Sequence, residues 1–192
     1  MGILVVTLRS MESDHVDDEP IVPAPAVEAV WRAVQALDAD DRTQARELLA
    51  GADEVVHELG HAELGRAAAL LVAGLLSTVL PDDDAPRDDE DEDMVGMALK
   101  AITTRIHASF PEVSDRIPLL VAVVSAGLTG QNAVSWCERV GVDDPHDALA
   151  LTYLLWLVRD LVDSLYEQPG IADELVTTAL LSDQPEDPSE MA

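Results

Sequence analysis

Apolar residues recur at spacings of three and four along much of this chain, which is the period of an amphipathic α-helix. The first such stripe follows Pro25 and comprises Val27, Val30, Trp31, Val34 and Leu37. A second stripe runs from Ala45 to Leu59 and follows Asp40 and Asp41, either of which can cap a helix N-terminus. The pattern therefore predicts one helix after Pro25 and a second, continuous helix that extends to Leu59.

Residues 67–80 are almost entirely apolar and carry no charge. A transmembrane helix needs about 20 such residues, so this stretch is too short to cross a bilayer. We interpret it as a helix that is buried on all sides and that ends at Pro81.

The second half of the chain shows the same helical pattern. Pro118 stands where the first turn of a helix tolerates a missing N–H group, and Asp144-Pro145 combines a cap with a first-turn proline. The pattern predicts helices over residues 94–109, 115–128, 133–140, 145–168 and 171–181. The fold class is therefore all-α: a single helical-bundle-like domain of about seven helices, packed around residues 67–80, 117–128 and 148–158.

The charge of the chain limits its partners. Its 192 residues include 38 acidic and 11 basic side chains, for a net charge of −27. Nucleic acid and anionic membranes have the same sign of charge, so we expect neither direct nucleic-acid binding nor membrane binding. The 48% apolar content is high enough to exclude a wholly disordered chain.

The acidic residues are concentrated in three segments that contain or border proline. Residues 12–19 hold five acidic side chains, residues 82–93 hold nine with Arg87 as their one base, and residues 183–190 hold four. These segments lack apolar periodicity, which indicates flexibility. We therefore predict a flexible acidic segment over residues 1–23, an all-α domain over 24–182 interrupted by an acidic linker at 81–93, and an acidic tail over 183–192. Met11 is an alternative translation start.

The single cysteine, Cys137, has no partner for an internal disulfide, which suits a reducing compartment. We interpret it as a small buried apolar side chain. The apolar run over residues 3–8 is the one plausible strand, and it is too short for the core of a signal peptide. These features predict a cytoplasmic protein.

One segment matches a chemical motif. His57-Glu58-Leu59-Gly60-His61 fits the pattern H-E-x-x-H and resembles the signature of the zinc metallopeptidases, the zincins. That resemblance implies peptide-bond hydrolysis, with zinc as the cofactor, His57 and His61 as metal ligands and Glu58 as the general base.

The surroundings of the motif favour a different interpretation. The extended metzincin pattern requires Gly and His where this chain has Leu64 and Ala67, and the acidic residues at 82–84 belong to the predicted linker. On a continuous helix the two histidines would lie opposite the apolar stripe, on a solvated face. If the two histidines bind no metal, the sequence indicates no cofactor. We also expect His107 and His146, near helix ends, to be surface residues.

The sequence therefore predicts a non-enzymatic acidic helical protein that binds another macromolecule in a regulatory or adaptor role. Its acidic segments would favour a basic protein partner and raise the rate of encounter with it. Two alternatives stay open. One is a zinc-dependent metallopeptidase-like hydrolase that uses residues 57–61, and the other is an inhibitor that mimics nucleic acid in the groove of a DNA-binding protein.

Overall fold

The computed structural model of this chain describes residues 3–4, 22–50, 54–78, 89–128, 137, 142 and 144–182. Within these residues it is built of helices, with one short strand pair, which confirms the predicted all-α fold. In chain order the elements are β1 (Ile3–Leu4), β2 (Val22–Pro23), α1 (Ala24–Asp38), α2 (Arg42–Leu49), α3 (Glu54–Ser77), α4 (Asp89–Ser109), a 3₁₀-helix (Pro111–Arg116), α5 (Ile117–Leu128), α6 (Pro145–Leu165) and α7 (Ile171–Ser182).

Helix α1 has the predicted apolar face. All five residues of its stripe are buried, and the alanines between them are buried as well, at positions 26, 29, 33 and 36. Small alanine side chains let a neighbouring helix approach closely, so α1 packs against α2, α3 and α6. Asp40, with a left-handed φ of 57°, turns the chain from α1 toward α2.

The predicted continuous helix extending to Leu59 is wrong, because the segment forms two helices. Asp41 caps α2 as expected, accepting a hydrogen bond at 2.9 Å from the backbone amide of Gln44. Helix α2 ends at Leu49, and α3 begins at Glu54. The apolar period of the sequence thus continues across the boundary between two helices. Gly51, a poor helix former, lies in the sequence between them.

Helix α3 is the centre of the fold. Its residues from Ala67 to Ala73 are all buried, as are Leu75 and Leu76, which confirms that the apolar segment is enclosed as far as Leu76. The helix ends at the exposed Ser77, whereas the predicted end was at Pro81. It packs against α1, α5 and α6. Within the described residues, the part of α3 from His57 to Ser77 is long and apolar enough to cross a membrane by length and composition alone, a test that the core helix of a soluble protein also passes.

Helix α4 begins inside the predicted acidic linker. The expected start was Met94, whereas the helix starts at Asp89. Acidic residues are favourable in the first turn of a helix because they face the partial positive charge of its N-terminus. The run of five acids at residues 89–93 is therefore compatible with the first turns of a helix. The linker residues 81–88 lie outside the described part of the chain.

The later helices follow the predicted caps closely. Pro118 lies in the first turn of α5, although α5 begins at Ile117 after a 3₁₀-helix instead of at residue 115. Asp144 caps α6, which ends at Leu165. Asp163 accepts hydrogen bonds from the backbone amides of Gly170 (2.8 Å) and Ala172 (3.0 Å), which holds the start of α7 against the end of α6.

Two further predictions fall at the limits of the described residues. Cys137 is helical and 1% exposed, as expected for a small buried side chain. The rest of the helix predicted over residues 133–140 lies outside the described residues, as does the tail over 183–192.

In the predicted flexible segment 1–23, Ile3 pairs with Pro23 and Leu4 with Val22 in an antiparallel arrangement. Val22 is buried in the core, so the end of that segment belongs to the folded domain.

Candidate functional site

The H-E-x-x-H motif lies near the start of α3, and the backbone is not helical at its fourth residue. Gly60 has φ 78° and ψ 167°, a left-handed conformation that interrupts the helix between the two histidines. Two histidines four residues apart share a face only on a continuous helix. The kink at Gly60 therefore removes the regular spacing that the zincin signature requires.

The side chains of the motif do not share one environment either. His57 and Glu58 are exposed, whereas His61 is partly buried and Leu59 packs against the core. In the described part of the chain, no group of three or more His, Cys, Asp or Glu residues is placed to hold a metal ion. The acidic residues at 82–84 are outside that part. The roles of His57 and His61 as ligands, and of Glu58 as a base, remain predictions.

The other two histidines named from the sequence, His107 and His146, are exposed, as expected. The backbone amide of His146 donates to the Oδ1 atom of Asp144 at 2.7 Å, and its Nδ1 atom lies 3.0 Å from the same oxygen. These hydrogen bonds, the backbone one first, lower the pKa of Asp144. His146 therefore takes part in the cap of α6.

Arginines link several helices in the part of the chain that the structure describes. Arg159, in the middle of α6, donates to both carboxylate oxygens of Asp173 (3.1 and 2.6 Å) and also to Asp38. Asp38 accepts a further hydrogen bond at 2.7 Å from the indole of Trp156. A forked guanidinium is suited to such paired contacts. Arg159 thus joins the end of α1 and the start of α7 to α6.

The charge on Arg159 is stabilised despite its burial. Its side chain is only 13% exposed, and burial alone would lower its pKa. The hydrogen bonds and charges of Asp173 and Asp38 outweigh burial and raise the pKa. The guanidinium therefore stays charged, as its structural role requires.

A second arginine joins α2, the 3₁₀-helix and α6. Arg46 pairs with Glu112 at 2.6 Å, and the hydroxyl of Tyr153 donates to the same carboxylate at 3.2 Å. Burial raises the pKa of Tyr153, so the phenol keeps the proton that it donates. Burial would also raise the pKa of Glu112, but hydrogen bonds from its own backbone amide, from Arg46 and from Tyr153 hold it below the ordinary value of 4.5.

Aromatic rings pack beside this pair. Phe110 stacks on Tyr153, with 3.9 Å between ring centroids, and meets the edge of Trp156 at 5.7 Å. The guanidinium of Arg42 lies over the ring of Phe110, 4.9 Å from its centroid. The chain has one Phe and two Tyr residues, so these rings are a large share of its aromatic content. Of the tryptophans that the structure describes, Trp31 is 6% exposed, while Trp156 is partly buried and also makes polar contacts.

Three further arginines also form ion pairs with carboxylates. Arg116 lies 3.2 Å from both Asp144 and Asp147 at the start of α6, Arg105 pairs with Asp160 at 3.2 Å, and Arg66 pairs with Glu63 within α3. Five of the arginines in the described residues thus form ion pairs inside the molecule. Apart from the local pair of Arg66 with Glu63, these pairs join residues that are far apart in the chain, so the spacing of residues in the sequence does not predict them.

A few large apolar side chains are exposed to solvent. Among the described residues they are Met97 (64% exposed), Leu165 (59%) and Tyr166 (48%). Met97 lies on α4, while Leu165 and Tyr166 lie at the end of α6. The hydroxyl of Tyr166 donates to the carbonyl of Thr78 at 2.6 Å, so the ring is anchored against the end of α3.

Known proteins offer no further guide to these surfaces. No protein-family model matches the chain, and comparisons with curated proteins and with solved structures found no match. The function of this chain has to be inferred from its own side chains.

Proposed function

We propose that this is a non-enzymatic regulatory or adaptor protein that binds another macromolecule, and that its acidic segments favour a basic protein partner. The observation that carries the proposal is that most of the described arginines form ion pairs with carboxylates of the same chain. Arg46, Arg105, Arg116 and Arg159 are engaged with carboxylates of other elements, so they do not offset acids elsewhere on the surface.

The acids at the start of α4 support the same conclusion. Residues 89–93 are all acidic, and no basic residue occurs in α4 before Lys100. These five charges follow one another in the sequence, so the density of negative charge is high along this short stretch. Such a density of charge attracts a basic partner over long range and raises the rate of encounter, while it repels nucleic acid.

The test is a comparison of two variants that lose the same amount of charge. In the first, residues 89–93 are changed to the corresponding amides. In the second, five exposed acids on other elements are changed in the same way: Glu28, Asp40, Glu47, Glu58 and Glu174. Each variant and the unmodified chain is then used to capture proteins from a lysate of the source cells, and bound proteins are quantified by mass spectrometry.

We expect the first variant to lose basic partners that the second retains, because the acids at 89–93 are contiguous and the control acids are scattered. Higher salt should weaken capture by the unmodified chain, as screening weakens attraction between exposed charges. Equal recovery of the same partners by all three proteins would contradict the proposal.

A competition experiment separates this function from mimicry of nucleic acid. If duplex DNA displaces the captured protein from this chain, the acids occupy a DNA-binding groove, and the mimic is the correct form of the function. If DNA has no effect, the partner is recognised as a protein surface in its own right.

A further inference from the structure

A small cavity lies between the end of α2 and the first turn of α6, and it is partly open to solvent. Its volume is about 160 Å³. An apolar cavity of about 150 Å³ holds a benzene ring, whereas sites for drug-sized molecules start at about 300 Å³. The α2–α6 cavity is therefore large enough for one ring or a branched chain of similar size. It is lined by Arg46, Leu49 and Ala50 on the α2 side and by Pro145, His146 and Leu149 on the α6 side.

Most of the cavity wall is apolar. Leu49 and Ala50 face it from α2, and Pro145 and Leu149 face it from α6. Leu49 is only 4% exposed, and Leu149 packs against the hydrophobic core, so both leucines are held in place before any ligand arrives. A ligand ring that enters a preformed apolar wall leaves water without a cost for ordering that wall. The wall therefore favours an apolar group.

Two basic side chains also line this cavity, in a chain that has only 11 lysines and arginines. The side chain of Arg46 is 51% exposed and that of His146 is 63% exposed, so both lie where the cavity meets solvent. They come from opposite sides, one from α2 and one from α6. An acidic group on the ligand would meet these bases at the mouth while its apolar part lies against the leucines.

Arg46 already pairs with Glu112, through its Nη2 atom. A guanidinium has five N–H donors, so one carboxylate does not use all of them. Arg159 of the same chain binds the carboxylates of Asp173 and Asp38 together. Arg46 can therefore bind a second carboxylate while it keeps the first. His146 contacts Asp144 through Nδ1, so Nε2 is the ring atom that it offers to a ligand.

The net charge of the chain limits how acidic the ligand is. At −27 the chain repels anions, and the repulsion grows with the charge of the ligand. A ligand with one carboxylate has the smallest such penalty, and its two oxygens match the fork of a guanidinium. The cavity therefore favours a monocarboxylate over a phosphate or a polyanion.

We infer that the α2–α6 cavity binds a small free carboxylic acid with one ring or a branched chain. The apolar part of the acid lies against Leu49 and Leu149, and its carboxylate pairs with Arg46, with His146 as a second basic group. This inference goes beyond the proposed function and does not depend on it, because the ligand is a small molecule and the acids at 89–93 take no part.

The test compares three probes on the full chain labelled with ¹⁵N, with binding followed by NMR. Benzoate has the ring and the charge, benzamide keeps the ring without the charge, and acetate keeps the carboxylate without the ring. We expect benzoate to shift the amide signals of residues 46–50 and 146–149 with a Kd of about 1 mM. Benzamide and acetate should bind about 10-fold more weakly, since each lacks one of the two contacts.

Four variants locate the site. Arg46→Met should reduce the affinity for benzoate to that for benzamide, and His146→Gln should reduce it less. Ala50→Leu puts a larger side chain into the cavity and keeps the pair of Arg46 with Glu112, so it should weaken benzoate and benzamide alike. Arg105→Met is the control, because it removes an equally exposed, paired arginine that does not line the cavity. Thermal unfolding without ligand checks that each variant is folded.

Several results would overturn the inference. If benzamide bound as tightly as benzoate, the carboxylate would not be recognised, and if acetate did so, the cavity would not be used. Unchanged affinity in Ala50→Leu, or an equal loss in Arg105→Met, would place binding elsewhere or assign it to net charge. Absence of shifts up to about 10 mM benzoate would exclude this class of ligand. The proposed function would stand in each case, since capture of a protein partner tests it separately.

Discussion

Helices α6 and α4 differ in how many bases accompany their acidic residues. Along the middle of α6, Asp38 and Asp173 are held by Arg159, and Asp160 is paired with Arg105. The first five residues of α4, at positions 89–93, are by contrast all acidic, with no base among them. Acidic residues therefore take part in ion pairs between helices along α6, whereas at the start of α4 they add negative charge with no base beside them in the sequence.

The difference follows from how few bases the chain has. With 11 basic residues for 38 acids, only some carboxylates can be paired, and the arginines of the described residues are placed mainly where helices meet. A pair that is partly removed from water contributes more than an exposed one, because solvent screens it less. The folded domain therefore uses its bases for packing between helices and leaves the excess acid at its edges.

The largest expected effect is the loss of Arg159. Arg159→Met keeps the length of the side chain but leaves Asp38 and Asp173 near each other without a cation. Removing one partner of a buried pair costs about 3–5 kcal/mol, and because these carboxylates are about a third exposed we expect about 2–3 kcal/mol in the free energy of unfolding. Urea unfolding of the variant and the unmodified chain measures this loss of stability.

The control for this prediction is Arg32→Met. Arg32 is exposed on α1, so its loss changes the net charge equally without breaking the contact between three helices. If both variants lost the same stability, the effect would come from net charge, and the ion pairs along α6 would contribute nothing specific to the fold.

A smaller effect on stability is expected when the pH is lowered. The pKa of Glu112 is lower in the folded chain than its ordinary value of 4.5. As the pH falls below that value the unfolded chain takes up a proton first, so the stability from Glu112 is present above pH 4.5 and is lost as the pH falls through the lower, folded pKa. The stability difference between the unmodified chain and Glu112→Gln should therefore shrink between roughly pH 6 and pH 3.

Comparing the stability of the two proteins at each pH also removes a competing effect of protonation elsewhere in the chain. Protonation of the other carboxylates relieves repulsion in so acidic a chain, but it does so in both proteins and cancels in the comparison. Glu28→Gln, which removes an exposed carboxylate of α1, controls for the loss of one charge. A constant difference between the unmodified chain and Glu112→Gln across the pH range would show that the pair with Arg46 does not stabilise the fold.

The smallest expected effect concerns the H-E-x-x-H motif. Because Gly60 interrupts the helix and His57 is exposed, we expect the chain, purified without a histidine tag, to contain substoichiometric zinc. His61→Ala should leave the metal content unchanged. One equivalent of zinc that is lost in His61→Ala would instead establish the metal site and reopen the hydrolase alternative. Elemental analysis provides the measurement.

The caps and the apolar periods were predictable because they are local. Asp41, Asp144 and Pro118 occupy the positions at helix starts that their side chains favour, and α3 is as enclosed as its composition indicates. The errors arose where local signals conflicted. The break before Glu54 interrupts a continuing apolar period, and the acids before Met94 have no such period yet enter a helix, since helix N-termini favour negative charge.

The candidate surfaces were less predictable. The exposure of His57 and Glu58 agrees with the solvated face expected for them, but the kink at Gly60 was not foreseen, because glycine adopts helical and left-handed conformations alike. Leu165 ends the apolar stripe of α6, of which Leu154 and Val158 are fully buried, yet Leu165 is itself 59% exposed, and the spacing of residues along the helix does not predict this difference.

The sequence by itself determined the all-α class, the enclosed helix at the centre and the strong negative charge, because each depends on composition or on residues within a few turns of one another. The tertiary structure decided which acids are paired, through contacts such as that of Arg159 with Asp38, 121 positions away. It also decided which apolar residues remain in solvent. Both depend on where helices distant in sequence meet, and the spacing of residues along one helix carries no information about that.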